Sequence, residues 1–273
     1  MQNNPLHPLV AFKALLSNRY LIWQLAKREV IGRYKGSFLG LAWSFLNPLL
    51  MLVVYTFVFG VVFKARWGIS PDESKAEFAL ALFCGLIAFN LFAENVTRAP
   101  GLILANAIYV KKVVFPLEIL PVSILGASLI HGLISVIILM IGVALIRAQL
   151  PWTFIYLPFV LLPLLLASVG LSWFLASLGV FIRDLQQVTG IAVQVLMFLS
   201  PVFYPVTALP EAYQTWMLLN PLSSILENFR RVLIWNMSPE WHWLMLQTAI
   251  TAVFAYLGYL WFQKTRKAFA DVI

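Results

Sequence analysis

Six runs of apolar residues take up most of the 273-residue chain: Leu39–Phe63, Phe78–Val96, Pro116–Ile146, Phe154–Ile182, Val188–Phe203 and Leu244–Phe262. A helix rises about 1.5 Å per residue and a bilayer's hydrocarbon core is about 30 Å thick, so about twenty apolar residues make one crossing. The fifth run is short and ends in the proline-broken SPVFYP. In lipid every backbone N–H and C=O must be paired within the protein, which makes each run a helix. Only 11% of the residues are charged, against about 25% in a soluble domain. The sequence therefore predicts an all-α integral membrane protein with six transmembrane helices.

The formal charge of +8 suggests nucleic acid at first, but the basic residues gather at the ends of apolar runs, as bilayer orientation requires. With six spans both termini share a side. Placing them in the cytoplasm puts thirteen basic residues inside: Lys13, Arg19, Lys27, Arg28, Arg33, Lys35, Arg98, Lys111, Lys112, Arg183, Lys264, Arg266 and Lys267. Six stay outside, Lys64, Arg66, Lys75, Arg147, Arg230 and Arg231, with Asp72, Glu73, Glu77, Glu211, Glu227 and Glu240 beside them. This asymmetry predicts a multi-pass membrane protein with cytoplasmic termini and no nucleic-acid partner. One cysteine, Cys84, allows no intrachain disulfide, and three scattered histidines leave little for a metal. No cofactor or metal is expected on this chain.

The stretch REVIGRYKGSFLGLAWSFLNPLL, Arg28 to Leu50, leads a cationic segment straight into the first span. Trp23, Ala26, Val30 and Tyr34 form one stripe at helical spacing, while Gln24, Arg28 and Lys35 fall on another face. An N-terminal amphipathic interface helix follows. Its charges either hold the protein in orientation or, in the sharper reading, let Arg28, Arg33 and Lys35 meet an anionic substrate headgroup. Gly32, Gly36 and Gly40 allow close backbone approach and a bend. Asn47-Pro48 frees a carbonyl inside the span, a break that survives at membrane depth only where protein or water satisfies it.

REVIGRYKGSFLGLAWSFLNPLL resembles the N-terminal signature of ABC-exporter membrane subunits that move lipid-linked polysaccharides, the group of O-antigen, capsule and teichoic acid permeases. LILANAIYVKKVVFP, SPVFYP and NPLSSILENFRRVLIW extend the likeness over nearly the whole chain. The resemblance implies a single transmembrane domain over 1–273, with 1–38 as the interface helix, 39–262 as the six-span core and 263–273 as a tail. It also implies two copies of the chain forming a conduit, two ATP-binding cassette subunits carrying ATP and Mg, and a polyprenyl-pyrophosphate-linked glycan, most readily O-antigen, as substrate. Export of teichoic acid, capsule, a lipid or a drug is the alternative within the family.

RAPGLILANAIYVKKVVFPLEILP reads by itself as a short helix between Pro100-Gly101 and Pro116, with cations at its end. The resemblance makes it a coupling helix for the ATPase, with Asn106, Lys111, Lys112 and Phe115 in the matching motif. The chain holds no G-x-x-x-x-G-K-[ST] loop, so it is not expected to be an enzyme; if transport is ATP-driven the motor is a separate polypeptide, and the residues alone are also compatible with a passive pathway. The prolines of SPVFYPVTALP and the charges Glu227, Arg230 and Arg231 predict a segment at the outer face, which the resemblance reads as re-entrant helices before the last span. Trp67, Trp152, Trp241 and Trp243 fit an interfacial belt. Tyr55, Phe89, Trp173, Phe198 and Tyr204 are candidates to stack on sugars along the conduit, with core packing as the alternative. Polar groups within the spans are functional candidates by default. His131 between Ser128 and Ser135 reads as a neutral imidazole bonded to a serine, and Glu94 as a partner of Arg98 one turn on. Scattered single acids, without a metal-binding cluster, argue against a membrane-embedded transferase. Six spans with few buried carboxylates argue against an ion-coupled flippase.

Overall fold

The computed structural model describes residues 8–63, 67, 74–111 and 115–273. The interface region forms two helices, α1 (Pro8–Ser17) and α2 (Arg19–Tyr34). The first span is α3 (Trp43–Tyr55), extended by a π-helical stretch, Thr56–Val62. The second span is α4 (Lys75–Arg98), followed by the short α5 (Leu102–Ala105) and α6 (Ala107–Lys111). Next come α7 (Ile119–Arg147), α8 (Leu157–Phe181) and α9 (Leu185–Phe198). A hairpin of α10 (Glu211–Leu219) and α11 (Pro221–Leu233) precedes α12 (Trp241–Thr265) and α13 (Phe269–Val272). No strand occurs among the described residues.

Among the described residues five helical segments are long and apolar enough to cross a membrane. The sixth expected crossing is the shorter α9, whose 14 residues cover about 20 Å. Its first turn lies beside Gly101, just past the end of α4. The Pro201 and Val202 carbonyls just beyond its last turn reach the same arginine as Ala81, near the start of α4. So α9 and its proline-broken extension traverse the bundle, and the interface helices and α13 share one end. Two contacts mark that end: Arg28 Nη1 donates to Tyr109 Oη at 3.0 Å, and Lys111 Nζ to the Ile273 carbonyl at 2.7 Å. It is called the proximal end below, and the end with the α10–α11 hairpin the distal end.

The second span is the hub. KAEFALALFCGLIAFNLFAENVTR is apolar from Phe78 to Phe92 save for Asn90, as suits a helix surrounded by others, and 78% of its most apolar stretch is buried. Its start is fixed by a capping box: Ser74 Oγ accepts from the Glu77 amide at 3.1 Å and Glu77 Oε2 from the Ser74 amide at 3.0 Å. α8 and α12 touch backbone to backbone, where a side chain at Gly258 would overlap the Gly170 carbonyl. The first span behaves otherwise, with 6% of its window buried.

The interface glycines bend the chain and do not pack it. Gly36 (φ +86) and Gly40 (φ +49) hold left-handed backbone between α2 and the first span. Nothing lies within 4 Å of where a Cβ would stand at Gly32, Gly36 or Gly40. The expected apolar stripe is also shifted. Ala26 and Leu25 are buried, α2 packs along α7, and Trp23 stands 55% exposed.

Candidate functional site

At the proximal end α2 lies across α4 and α7 and brings three arginines together. Arg28, Glu29, Gly32, Arg33 and Arg98 line an open cleft. Arg33 pairs with Glu94, and Arg98 Nη2 with Glu29. Arg98 Nη1 also stands 3.6 Å from Glu94, the expected contact one turn on. All four side chains keep 21–37% of their surface exposed. Exposed pairs of this kind contribute about 0–1 kcal/mol each, so they can exchange partners at little cost. Arg28 is tied to Tyr109, and Lys35 is exposed on the turn after α2. The structure thus joins Arg28 and Arg33 in one cleft, adds Arg98 to them, and leaves Lys35 outside its lining.

The segment expected as one coupling helix is broken in two at Asn106. Asn106 Nδ2 bonds back to the Leu102 carbonyl at 2.9 Å and ends the first piece. Leu104 and Ile108 point outward, 38% and 67% exposed. Phe115 is turned inward: it stacks on Tyr109 with ring centroids 4.3 Å apart, and its carbonyl accepts from Arg266 Nη2 at 3.3 Å. Arg266 Nη1 also bonds Glu118 Oε2 at 2.9 Å. Lys111 is exposed at its bond to Ile273, and Lys112 lies outside the described residues.

The five aromatic candidates divide. Phe89 is sealed in the core, and Trp173 is buried with its indole N–H donating to the Glu118 carbonyl at 2.9 Å and its ring edge-on to Tyr259. Neither presents a face to a passing sugar, so packing is their role here. Phe198 is 58% exposed, Tyr55 and Tyr204 are half-buried, and Tyr204 Oη donates to the Phe198 carbonyl at 2.8 Å. The His131 imidazole Nε2 has no hydrogen-bond partner among the described residues, and the serine contact is to the backbone. Ser135 Oγ donates to the His131 backbone carbonyl at 3.0 Å, and the imidazole ring stands edge-on to Tyr34 at 5.8 Å.

The distal end departs from the sequence expectation at Arg230, which is expected as a charge at the outer face and is instead enclosed by the protein. Arg230 is fully buried in α11. Its Nε donates to the Ala81 carbonyl at 2.9 Å, and its Nη2 to the carbonyls of Pro201 at 2.8 Å and Val202 at 3.1 Å. The guanidinium lies 4.1 Å above the Trp67 ring, with Glu227 at 3.9 Å. Trp67 is therefore buried under the arginine and is no interfacial anchor, whereas Trp152, Trp241 and Trp243 stay exposed. Ala81 lies six residues into α4, about 9 Å by helix rise, so α11 reaches inward as a re-entrant element should. Burial pushes the guanidinium down to about 10, still charged at neutral pH. Room for it exists because residue 85 is glycine: a Cβ there would overlap Nη2. A signal was present, since Leu222, Leu226 and Arg230 recur at i, i+4, i+8 on the stripe that Ile225, Phe229 and Leu233 complete. An arginine on an apolar stripe announces a buried partner set.

Comparison with known proteins places this geometry. Residues 20–234, from α2 through α11, match the ABC-2 type transporter family. The chain is 29% identical over 265 residues to the O-antigen export system permease protein RfbA of Myxococcus xanthus, covering 96% of this chain and 98% of that protein. It is 26% identical to the RfbA permease of Klebsiella pneumoniae, over 93% and 95% of the two chains. It is 28% identical to the polysialic acid transport protein KpsM of Escherichia coli, over 76% and 78%. With the larger part of its length inside the family match and its helices arranged as a multi-pass membrane bundle, the chain belongs to the ABC-2 type transporter membrane family.

Proposed function

We propose that this chain is the permease subunit of an ATP-driven exporter that moves a polyprenyl-pyrophosphate-linked polysaccharide, O-antigen in the first place, across the bacterial inner membrane. The observation that carries the proposal is the near end-to-end likeness to O-antigen export permeases. The proximal end is assigned to the cytoplasm, in keeping with the thirteen-to-six distribution of basic residues. Two copies of the chain would form the conduit, and two ATP-binding subunits would dock at the coupling segment, meeting Leu104, Ile108 and Lys111, with Asn106 shaping its bend and Phe115 anchoring it from within.

The pyrophosphate would enter the cleft of Arg28, Arg33 and Arg98. There it competes with Glu94 and Glu29 for guanidinium groups suited to bidentate phosphate contacts. Lys35 would add charge at the rim. The lipid tail would stay in the bilayer while the sugars pass Tyr55, Phe198 and Tyr204. Because Arg28 is bonded to Tyr109, which stacks on Phe115, a push on the coupling segment would carry the interface helix with it. A capsule polymer is the second reading, favoured by the likeness to KpsM and to the capsule export protein CtrC of Neisseria meningitidis.

The test is purification of the chain from native membranes in mild detergent, followed by mass spectrometry. A stoichiometric partner carrying a Walker A loop is expected. Its reproducible absence from an intact, monodisperse preparation would overturn the reading.

A further inference from the structure

The first span meets α2, α4 and α7 around a cavity of about 170 Å³. Three helices contribute polar residues to its lining: Ser44 and Asn47 from the first span, Asn90 from the second, and Ser128, His131 and Ser135 from the third. Along α4 the lining runs from Glu94 at the proximal end to Phe83, about 16 Å of helix. Polar side chains are costly at this depth and face either one another or water. They do not face one another here. Among the described residues Ser44 Oγ, Ser128 Oγ and His131 Nε2 have no hydrogen-bond partner, although Ser44 and Ser128 are 5% and 2% exposed. Pro48 adds to the demand, because it has no N–H to give the Ser44 carbonyl four residues back.

We propose that this cavity is a water-binding site within a single protomer, seating the Pro48 break of the first span on ordered water. A water needs about 10–15 Å³ of such space and two to four polar partners, and the cavity offers room for several. A serine hydroxyl reaches it by moving between staggered rotamers. Water supplies both a donor and an acceptor at each site, so it satisfies two hydroxyls, an imidazole nitrogen and a bare carbonyl together. The first span closes the cavity by packing on α4 and α7 with one face, while most of its residues keep part of their surface exposed. A span seated in this way can tilt and exchange one water contact for another, where a dry polar seam would have to break bonds.

The experiment is radiolytic hydroxyl labelling of the full chain in lipid nanodiscs, with side-chain oxidation read by mass spectrometry. It requires neither transport nor the motor subunit, so its outcome is independent of the export reading. Phe83, 4% exposed but lining the cavity, is compared with Phe78 and Phe229, each 1% exposed and outside the lining. Phe83 is expected to label several-fold faster than either, and the excess is expected to fall in Ser128→Val with Ser44→Ala. Equal labelling of the three phenylalanines in the parent chain would overturn the proposal, as would an excess at Phe83 that survives the double substitution.

Discussion

Two arginine sites, one at each end of the bundle, solve opposite problems with the same side chain. At the proximal end Arg33 and Arg98 face carboxylates and keep about a third of their surface in solvent. At the distal end Arg230 exposes no surface: its Nε and Nη2 bond backbone carbonyls of α4 and the proline-broken turn, while Nη1 stands 3.9 Å from Glu227. An exposed ion pair is held weakly and can release its cation to another anion. A buried guanidinium bound to carbonyls has no such exchange, because each partner left behind would be an unpaired polar group in an apolar core. The comparison separates a site built for exchange from one built to hold the re-entrant hairpin.

The largest effect should therefore come from Arg230→Met, which keeps the apolar stem and strands the Ala81, Pro201 and Val202 carbonyls. A buried carbonyl left without its donor costs about 1–3 kcal/mol. It would be read as a large fall in the melting temperature of the solubilised protein; a Tm equal to the parent's would break the contrast between the two ends. Gly85→Ala acts on the same lock from the other side, since its Cβ would collide with Nη2. Overpacking of this kind costs about 1–3 kcal/mol. If the collision is the cause, Gly85→Ala should add little to Arg230→Met, whereas additive losses would locate its effect elsewhere.

Arg28→Glu with Arg33→Glu probes the exchangeable end. Folded yield and Tm should change little, because the pairs removed are half-exposed. Export should fall by roughly ten-fold or more, as expected when a charge-assisted contact of about 1.5–3 kcal/mol to the pyrophosphate is lost. A well-folded double variant that exports at the parent rate would sink the headgroup role.

These two ends were not equally legible. The six apolar runs yielded the crossings because run length and bilayer thickness set them with no knowledge of packing, and Arg98 with Glu94 followed from one helical turn. Arg33 with Glu94 and Arg28 with Tyr109 did not, since they join residues 61 and 81 positions apart and depend on how α2 is placed against α4 and α6. Residue type alone leaves Phe89 and Trp173 open between a sugar passage and core packing, because type cannot say which face of an apolar helix meets a neighbour. Arg230 was visible as a stripe position, but the reading gave greater weight to the cost of burying charge than to carbonyls that could receive it.

The smallest expected effect is also the one that best separates holding from moving. Tyr109→Phe keeps the ring on Phe115, 4.3 Å away, and deletes only the 3.0 Å bond from Arg28. A single hydrogen bond of this kind contributes about 0.5–1.5 kcal/mol, so Tm should scarcely shift. If that bond makes the interface helix follow the coupling segment, each polymer exported should require more ATP in the variant, with basal ATP hydrolysis preserved. Arg28→Lys should be milder, because an ammonium on a shorter reach can still donate to the phenol. An unchanged ratio of hydrolysis to export in Tyr109→Phe would make Arg28 a charge in the cleft and nothing more, leaving the proximal end to exchange anions without transmitting the stroke.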